Sequence, residues 1–293
     1  MVQPNLPEDI EREVTEVLLN EATDMCGAMS LVAPRFNTWT KPVKFGTIVV
    51  REHNDWKTRL SEVLLPNARF IQRLAVMVEC NRPDGSHLPD ADLAQIKRLL
   101  EASIQVKHLA VVWSIWARLP RECGKMHLES LYLEWDEDYC ISPPTLRHLQ
   151  YPDELKDITV YAPLDLDNPP PHWRAWGEFY LPDTTHCTNL AYVTYAALAT
   201  PGYSLGALSA KPNMKGVMFV LVDIPEDCLT GDNRWKREEK LWPAFSGVYL
   251  RYPHQILGEW LARMEGMPST LDHPPPHYVE VLYDDEGFPV EEL

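Results

Sequence analysis

Val106-Lys107-His108-Leu109-Ala110-Val111 carries apolar side chains at its first, fourth and sixth positions, and this spacing returns along the chain. It occurs earlier as Phe45/Ile48/Val50 and Ile71/Leu74/Val76. It occurs later as Leu128/Leu131/Leu133, Leu155/Ile158/Val160, Cys187/Leu190/Tyr192, Met214/Val217/Phe219 and Phe245/Val248/Leu250. The last two members of each triad stand two residues apart, so they share one face of an extended strand. One such strand cannot bury its face alone, whereas parallel neighbours stacked side by side form a continuous core. The spacing therefore predicts an α/β fold with a parallel sheet.

The intervals supply helices to cover that core. Asp90 to Ile104 reads as a helix behind an aspartate N-cap, with Leu93, Ile96, Leu100 and Ile104 on one stripe. His254 to Met264 is a second, with Ile256, Leu257, Trp260 and Leu261 aligned. Loops are rich in proline, 26 residues against 13 glycines, and so are stiff. This architecture resembles a leucine-rich repeat at the irregular end of that family. The family's asparagine after each triad is missing, because those positions hold His53, Glu79, Ser114, Asp136, Pro163, Tyr195, Val222 and Pro253. An ordinary α/β domain with parallel strands accounts for the same triads.

Ahead of the triads lies a different kind of sequence. Leu6-Pro7-Glu8-Asp9-Ile10 opens an acidic amphipathic helix with Ile10, Val14, Val17 and Leu18 on one stripe. Pro7 stands where a helix start tolerates proline. Asp24 is placed to cap a second helix and Pro34 to open a third. Then follow Ser30-Leu31-Val32-Ala33-Pro34-Arg35-Phe36-Asn37-Thr38-Trp39 and Pro42-Val43-Lys44-Phe45. The Leu-Pro start, the Val-x-x-Arg…Trp run and the ensuing repeats resemble F-box-like proteins abundant in mushroom-forming fungi. Pro34 departs from the usual Cys or Ser of that motif.

The resemblance implies a three-helix box over residues 1–45, a leucine-rich-repeat-like solenoid over 46–265 and an acidic tail over 266–293. It also implies an adaptor of a cullin-type ubiquitin ligase, with the box docking a Skp-type linker protein and the remainder selecting a target. Linker docking then falls to Leu6, Pro7, Ile10, Val14, Leu31, Val32 and Trp39. As an alternative use of the same helices, the box is a cap closing the end of the repeats.

Residues between and after the last two triad members face the opposite, inner side of the sheet. One row reads Val49, Ala75, Ala110, Tyr132, Thr159, Ala191, Met218 and Tyr249, and the next Arg51, Met77, Val112, Glu134, Tyr161, Val193, Val220 and Arg251. For an exposed surface this is apolar and aromatic, which marks a contact. The target- or ligand-binding candidates are Tyr132, Glu134, Tyr161, Met218, Tyr249 and Arg251. Its occupant is open among the chain's own Met267 to Leu293 segment, with Val279, Val281 and Tyr283 alternating, a protein target, and an apolar ligand. An enzyme using the face as a pocket is the rival reading, with Glu134 or a tyrosine as acid–base group.

Other chemistry finds little support in the sequence. There is no P-loop, nucleophile elbow or His-Glu-x-x-His motif. His273 and His277 are held apart by three prolines, Asp136-Glu137-Asp138 reads as a solvated loop, and His186-Cys187 lacks an orienting carboxylate. No catalytic residue, metal site or cofactor is expected. The six cysteines are scattered and read as reduced thiols. A net charge of −16 argues against nucleic acid, and no apolar run approaches the ~20 residues that span a bilayer. Eight acidic residues and no Lys or Arg follow Arg263. Without a visible secretory signal, a cytoplasmic or nuclear location is expected.

Overall fold

The computed structural model describes residues 7–21, 25–52, 55–78, 87–134, 146–162, 186–197, 213, 215–222, 245–250 and 255–269. The triads become eight strands: β1 (Thr47–Arg51), β2 (Arg73–Met77), β3 (His108–Val112), β4 (Ser130–Glu134), β5 (Asp157–Ala162), β6 (Tyr192–Ala197), β7 (Gly216–Val222) and β8 (Phe245–Leu250). They form one sheet in the order β1-β2-β3-β4-β5-β6-β7-β8, every neighbouring pair parallel. The chain is thus α/β with a parallel sheet. Consecutive order has a consequence: crossovers of one hand return on one face, so connecting helices gather on a single side.

That side holds the main core. Leu74, Val76, Leu109, Val111, Leu131, Leu133, Ile158 and Val160 are fully buried there. They pack beneath α4 (Trp56–Arg59), α5 (Leu65–Asn67), α6 (Asp90–Ala102), α7 (Trp113–Arg118) and α8 (Pro120–Gly124). A π turn over Leu60–Leu64 joins α4 to α5 just before Pro66, whose missing N–H disturbs the helical ladder. In α6, Asp90 is the first helical residue and the cap position is Pro89, so no side chain caps it. The helix stops at Ala102 because Ser103 leaves helical geometry, and Ile104, expected on the buried stripe, is 70% exposed.

Strand starts are set by a ladder of main-chain bonds. Gly46, Gln72, Lys107, Glu129, Lys156 and Ala191 each accept two N–H groups from the next turn with their carbonyl oxygens. Side chains reinforce it: Lys107 Nζ meets Glu129 Oε1 at 2.9 Å and Lys156 Nζ meets Oε2 at 3.0 Å. Hydrogen bonds from these two ammonium groups hold the Glu129 carboxyl down at about 2. The missing asparagines reappear before the strands instead of after them. Asn189 Nδ2 donates to Asp153 O at 2.7 Å and Asn213 Nδ2 to Thr188 O at 2.9 Å.

Two strands differ from the expected phase. Ile158 pairs with Val193, and Val217 with Phe245, where the triads predicted Leu190 and Val248. Residues 187–195 fit the apolar spacing in two phases three apart, and the chain uses Leu190/Val193/Tyr195. Val193 is accordingly 1% exposed in the main core rather than on the inner face. Cys187 and Leu190 precede β6 and are buried.

At the other end, α1 (Glu8–Glu21), α2 (Cys26–Ser30) and α3 (Pro34–Lys44) lead directly into β1. Pro34 opens α3 at its first helical position, as expected. Asp24, the expected cap of α2, lies outside the described residues, and Met25 holds the cap position. Gly46 forms the joint with the sheet, where any side chain would stand 2.7 Å from the Pro42 carbonyl oxygen. Among the described residues no helix is long and apolar enough to cross a membrane.

Candidate functional site

Over β2 to β5 the inner face of the sheet is covered by α9 (Gln255–Met264), the helix that the apolar stripe 256–261 predicts. The expected arrangement put this helix with the others over the main core, and that is wrong. Among the described residues α9 connects no two strands, so the one-face rule for crossovers does not apply to it there. Ile256, Leu257 and Trp260 bury themselves against Ala75, Ala110, Tyr132 and Tyr161. The alanines leave room for the helix, and Tyr132 meets the Trp260 indole at 5.7 Å between ring centroids. The cover is therefore the chain's own, and among the described residues it is supplied by 255–264. Met267 is exposed, and Val279, Val281 and Tyr283 lie outside the described residues.

Beneath α9 runs a third inner row, one pleat nearer the strand starts than the two read from sequence. It reads Thr47, Arg73, His108, Ser130, Asp157 and Tyr192. Trp260 Nε1 donates to Ser130 Oγ at 3.1 Å, and Ser130 Oγ donates to Asp157 Oδ1 at 3.3 Å. Arg263 Nη2 reaches the same carboxylate oxygen at 2.7 Å, both side chains being nine-tenths buried. Arg73 Nε donates to Met264 O at 2.8 Å, a cation at the negative end of the helix. Thr47 Oγ1 donates to Glu265 Oε1 at 2.6 Å. The helix then ends in a Schellman turn: Met267 N bonds Ala262 O, and Gly266 takes φ +76°. Ser269 Oγ donates back to Glu259 O at 2.8 Å.

His108 stands between Arg73 and Ser130, and its Nδ1 has no hydrogen-bond partner among the described residues. Burial, then the cations of Arg73, Lys107 and Arg263 against the single opposing charge of Glu129, lowers its pKa to about 4. The ring is neutral in the fold and charges readily once unfolded. Stability is therefore complete above the unfolded value of 6.5 and is lost as pH falls toward about 4. For this partly exposed ring we expect a loss on the order of 2 kcal/mol. Urea titrations of wild type and His108→Gln across that window check it. The wild type should weaken and the variant should lose that part of the slope.

His108, Ser130 and Asp157 lie side by side, but not in the order acyl transfer needs. The carboxylate bonds the hydroxyl, and no acid orients His108 Nδ1. On the expected ligand row, Tyr132 Oη donates to Glu134 Oε2 at 2.9 Å. Burial and the Glu134 charge push both the Tyr132 and Tyr161 phenols upward, which keeps them neutral. Tyr132, Glu134 and Tyr161 are thus brought together, and Met218 continues the Tyr132 row through Thr159 and Thr194. Tyr249 does not join them, since that row continues from Met218 to Ser246 and Tyr249 pairs with Leu221, three positions further along. Arg251 lies outside the described residues, as do Asp136, Asp138, His273 and His277. His186 is exposed while Cys187 is buried, so the two do not form a pair.

A second surface lies on the N-terminal helices. Helix α1 turns Thr15 and Leu19 inward, at 1% and 0% exposure, and its expected apolar stripe outward. Of the ten large apolar side chains exposed among the described residues, seven are Ile10, Val14, Val17, Leu18, Met25, Leu31 and Val32. Leu31 and Val32 project from the turn between α2 and α3 at 87% and 68%. Arg35 pins this arrangement, with Nε at 2.8 Å and Nη2 at 3.2 Å from the two Glu11 carboxylate oxygens. Pro7 is exposed, and Trp39 is half-buried edge-on to Phe36. Leu6 lies outside the described residues. Compared with known proteins, the chain matches no family model, no curated protein and no solved structure.

Proposed function

We propose that this chain is an adaptor: an F-box-like helical box on an irregular leucine-rich-repeat-like solenoid, serving a cullin-type ubiquitin ligase. The box docks a Skp-type linker, and the inner side of the sheet recognises the target. The reading carries with it a cytoplasmic or nuclear place of action. One observation supports it above the others, the concentration of exposed apolar side chains on α1 and the α2–α3 turn. A helical cap that merely closed the sheet would turn that stripe toward the core. A helix presenting it outward suits a partner's groove. The rival enzyme reading loses support at Tyr132 and Tyr161, where Trp260 and its neighbours fill the face.

The test is direct binding of the purified chain to a Skp-type linker. Val14→Asp combined with Leu31→Asp should weaken binding by on the order of 100-fold, since each buried apolar anchor contributes about 1.5–3 kcal/mol. Both side chains are exposed in the free chain, so its melting temperature should hold. A wild type that ignores the linker, or a double variant that binds equally well, overturns the proposal.

A further inference from the structure

The sheet carries two separate cores. The large one, under the crossover helices, contains no residue of α9, and the small one consists of Ile256, Leu257 and Trp260 on Ala75, Ala110, Tyr132 and Tyr161. Removing α9 therefore leaves the large core whole, which is the condition for a helix to open as its own cooperative unit. What holds α9 is partly polar: the Arg263–Asp157 pair, the Trp260–Ser130 bond and the Arg73–Met264 bond. Water can replace such contacts on both sides when the surfaces part, whereas a purely apolar seam would stay shut.

We propose that α9 is an internal stand-in for the target: it occupies the recognition groove and is displaced by an amphipathic helix of the same pattern. This rests on the adaptor reading for the meaning of the inner face. The groove itself states the pattern. Two aliphatic side chains fit over Ala75 and Ala110, and an aromatic donor four and three positions later meets Ser130. A cation three positions further on meets Asp157, and a helix C-terminus lies over Arg73. A segment reading aliphatic-aliphatic-x-x-Trp-x-x-Arg satisfies each of these partners in turn.

Native-state hydrogen exchange on the full chain tests the opening without any linker. Amides of α9 should exchange on the order of 100-fold faster than those of β2, β3 and β4. Equal protection would make α9 a permanent part of the core and overturn the proposal. The groove is tested with a labelled peptide of residues 255–269 and the full-length Trp260→Ala chain. The peptide should bind this variant at least about tenfold more tightly than wild type, because the variant's own helix competes less well. A folded variant that does not bind the peptide overturns the proposal. If the variant does not fold, the exchange result decides. Failure of linker binding alone would strike the adaptor reading and leave these results standing.

Discussion

Trp260→Ala is expected to weaken the docking of α9 by about 3–5 kcal/mol, the range for deleting a fully buried large aromatic side chain. The indole is 0% exposed, lies against Tyr132 and donates to Ser130 Oγ. Its loss leaves both a cavity and a hydroxyl without its donor. The cost should fall on the helix and not on the whole fold, so amide protection in α9 collapses while the urea midpoint moves less. Trp116→Ala is the matched comparison. That residue is 1% exposed in the large core, and its loss should lower the global unfolding free energy by a similar amount. Equal urea shifts for the two variants would refute this division.

The second large effect concerns charge. Arg263→Met leaves the Asp157 carboxylate buried without its cation, a change that costs about 3–5 kcal/mol where one partner of a buried pair is removed. Burial already raises the Asp157 pKa, with Arg263 and hydrogen bonds from Ser130 and Thr159 opposing it. Without Arg263 the pKa must rise further above its unfolded value. The variant should therefore gain stability as pH falls through that raised pKa, because the protonated acid carries no charge to desolvate. Adding Asp157→Asn should recover most of the loss at neutral pH and remove the acid rescue. Because Arg263 stands on α9, the amide protection of that helix in the single and double variants, corrected for the intrinsic pH dependence of exchange, measures both points across pH.

Much of the sheet was legible because its signal is local. Buried Leu74, Leu109, Leu131 and Ile158 recur at one phase of a short pattern, and their strands pair in the expected register. At β6 the pattern fits in two phases, and only packing against β5 selects Val193 over Leu190. The stripe Ile256, Leu257, Trp260 was equally plain, but periodicity says which side of a helix is apolar and not which face of a sheet it meets. The polar row was within reach as well. His108, Ser130 and Asp157 each stand one residue before a central triad member, so extending the two-residue alternation once more finds them. Polar side chains at a strand start are usual at a solvent edge, and only the docking of α9 buries this row. On the N-terminal helices the apolar stripe is plain in the spacing, while its outward direction depends on Thr15 and Leu19, which no local rule singles out.

The carbonyl ladder at the strand starts has an evolutionary corollary. Its rungs are separated by as few as 22 residues, from Lys107 to Glu129, and as many as 35, from Gln72 to Lys107, yet each makes the same paired bonds. Alignment is thus written at one point per turn, and the length of chain between two points is left free. Segments can be lengthened, shortened or exchanged there without shifting any strand against its neighbour. The same edge resists losing a turn at its centre. Excising residues 129–155 would bring Lys107 against Lys156 in place of the intervening Glu129. The architecture permits growth by insertion and polices deletion by charge.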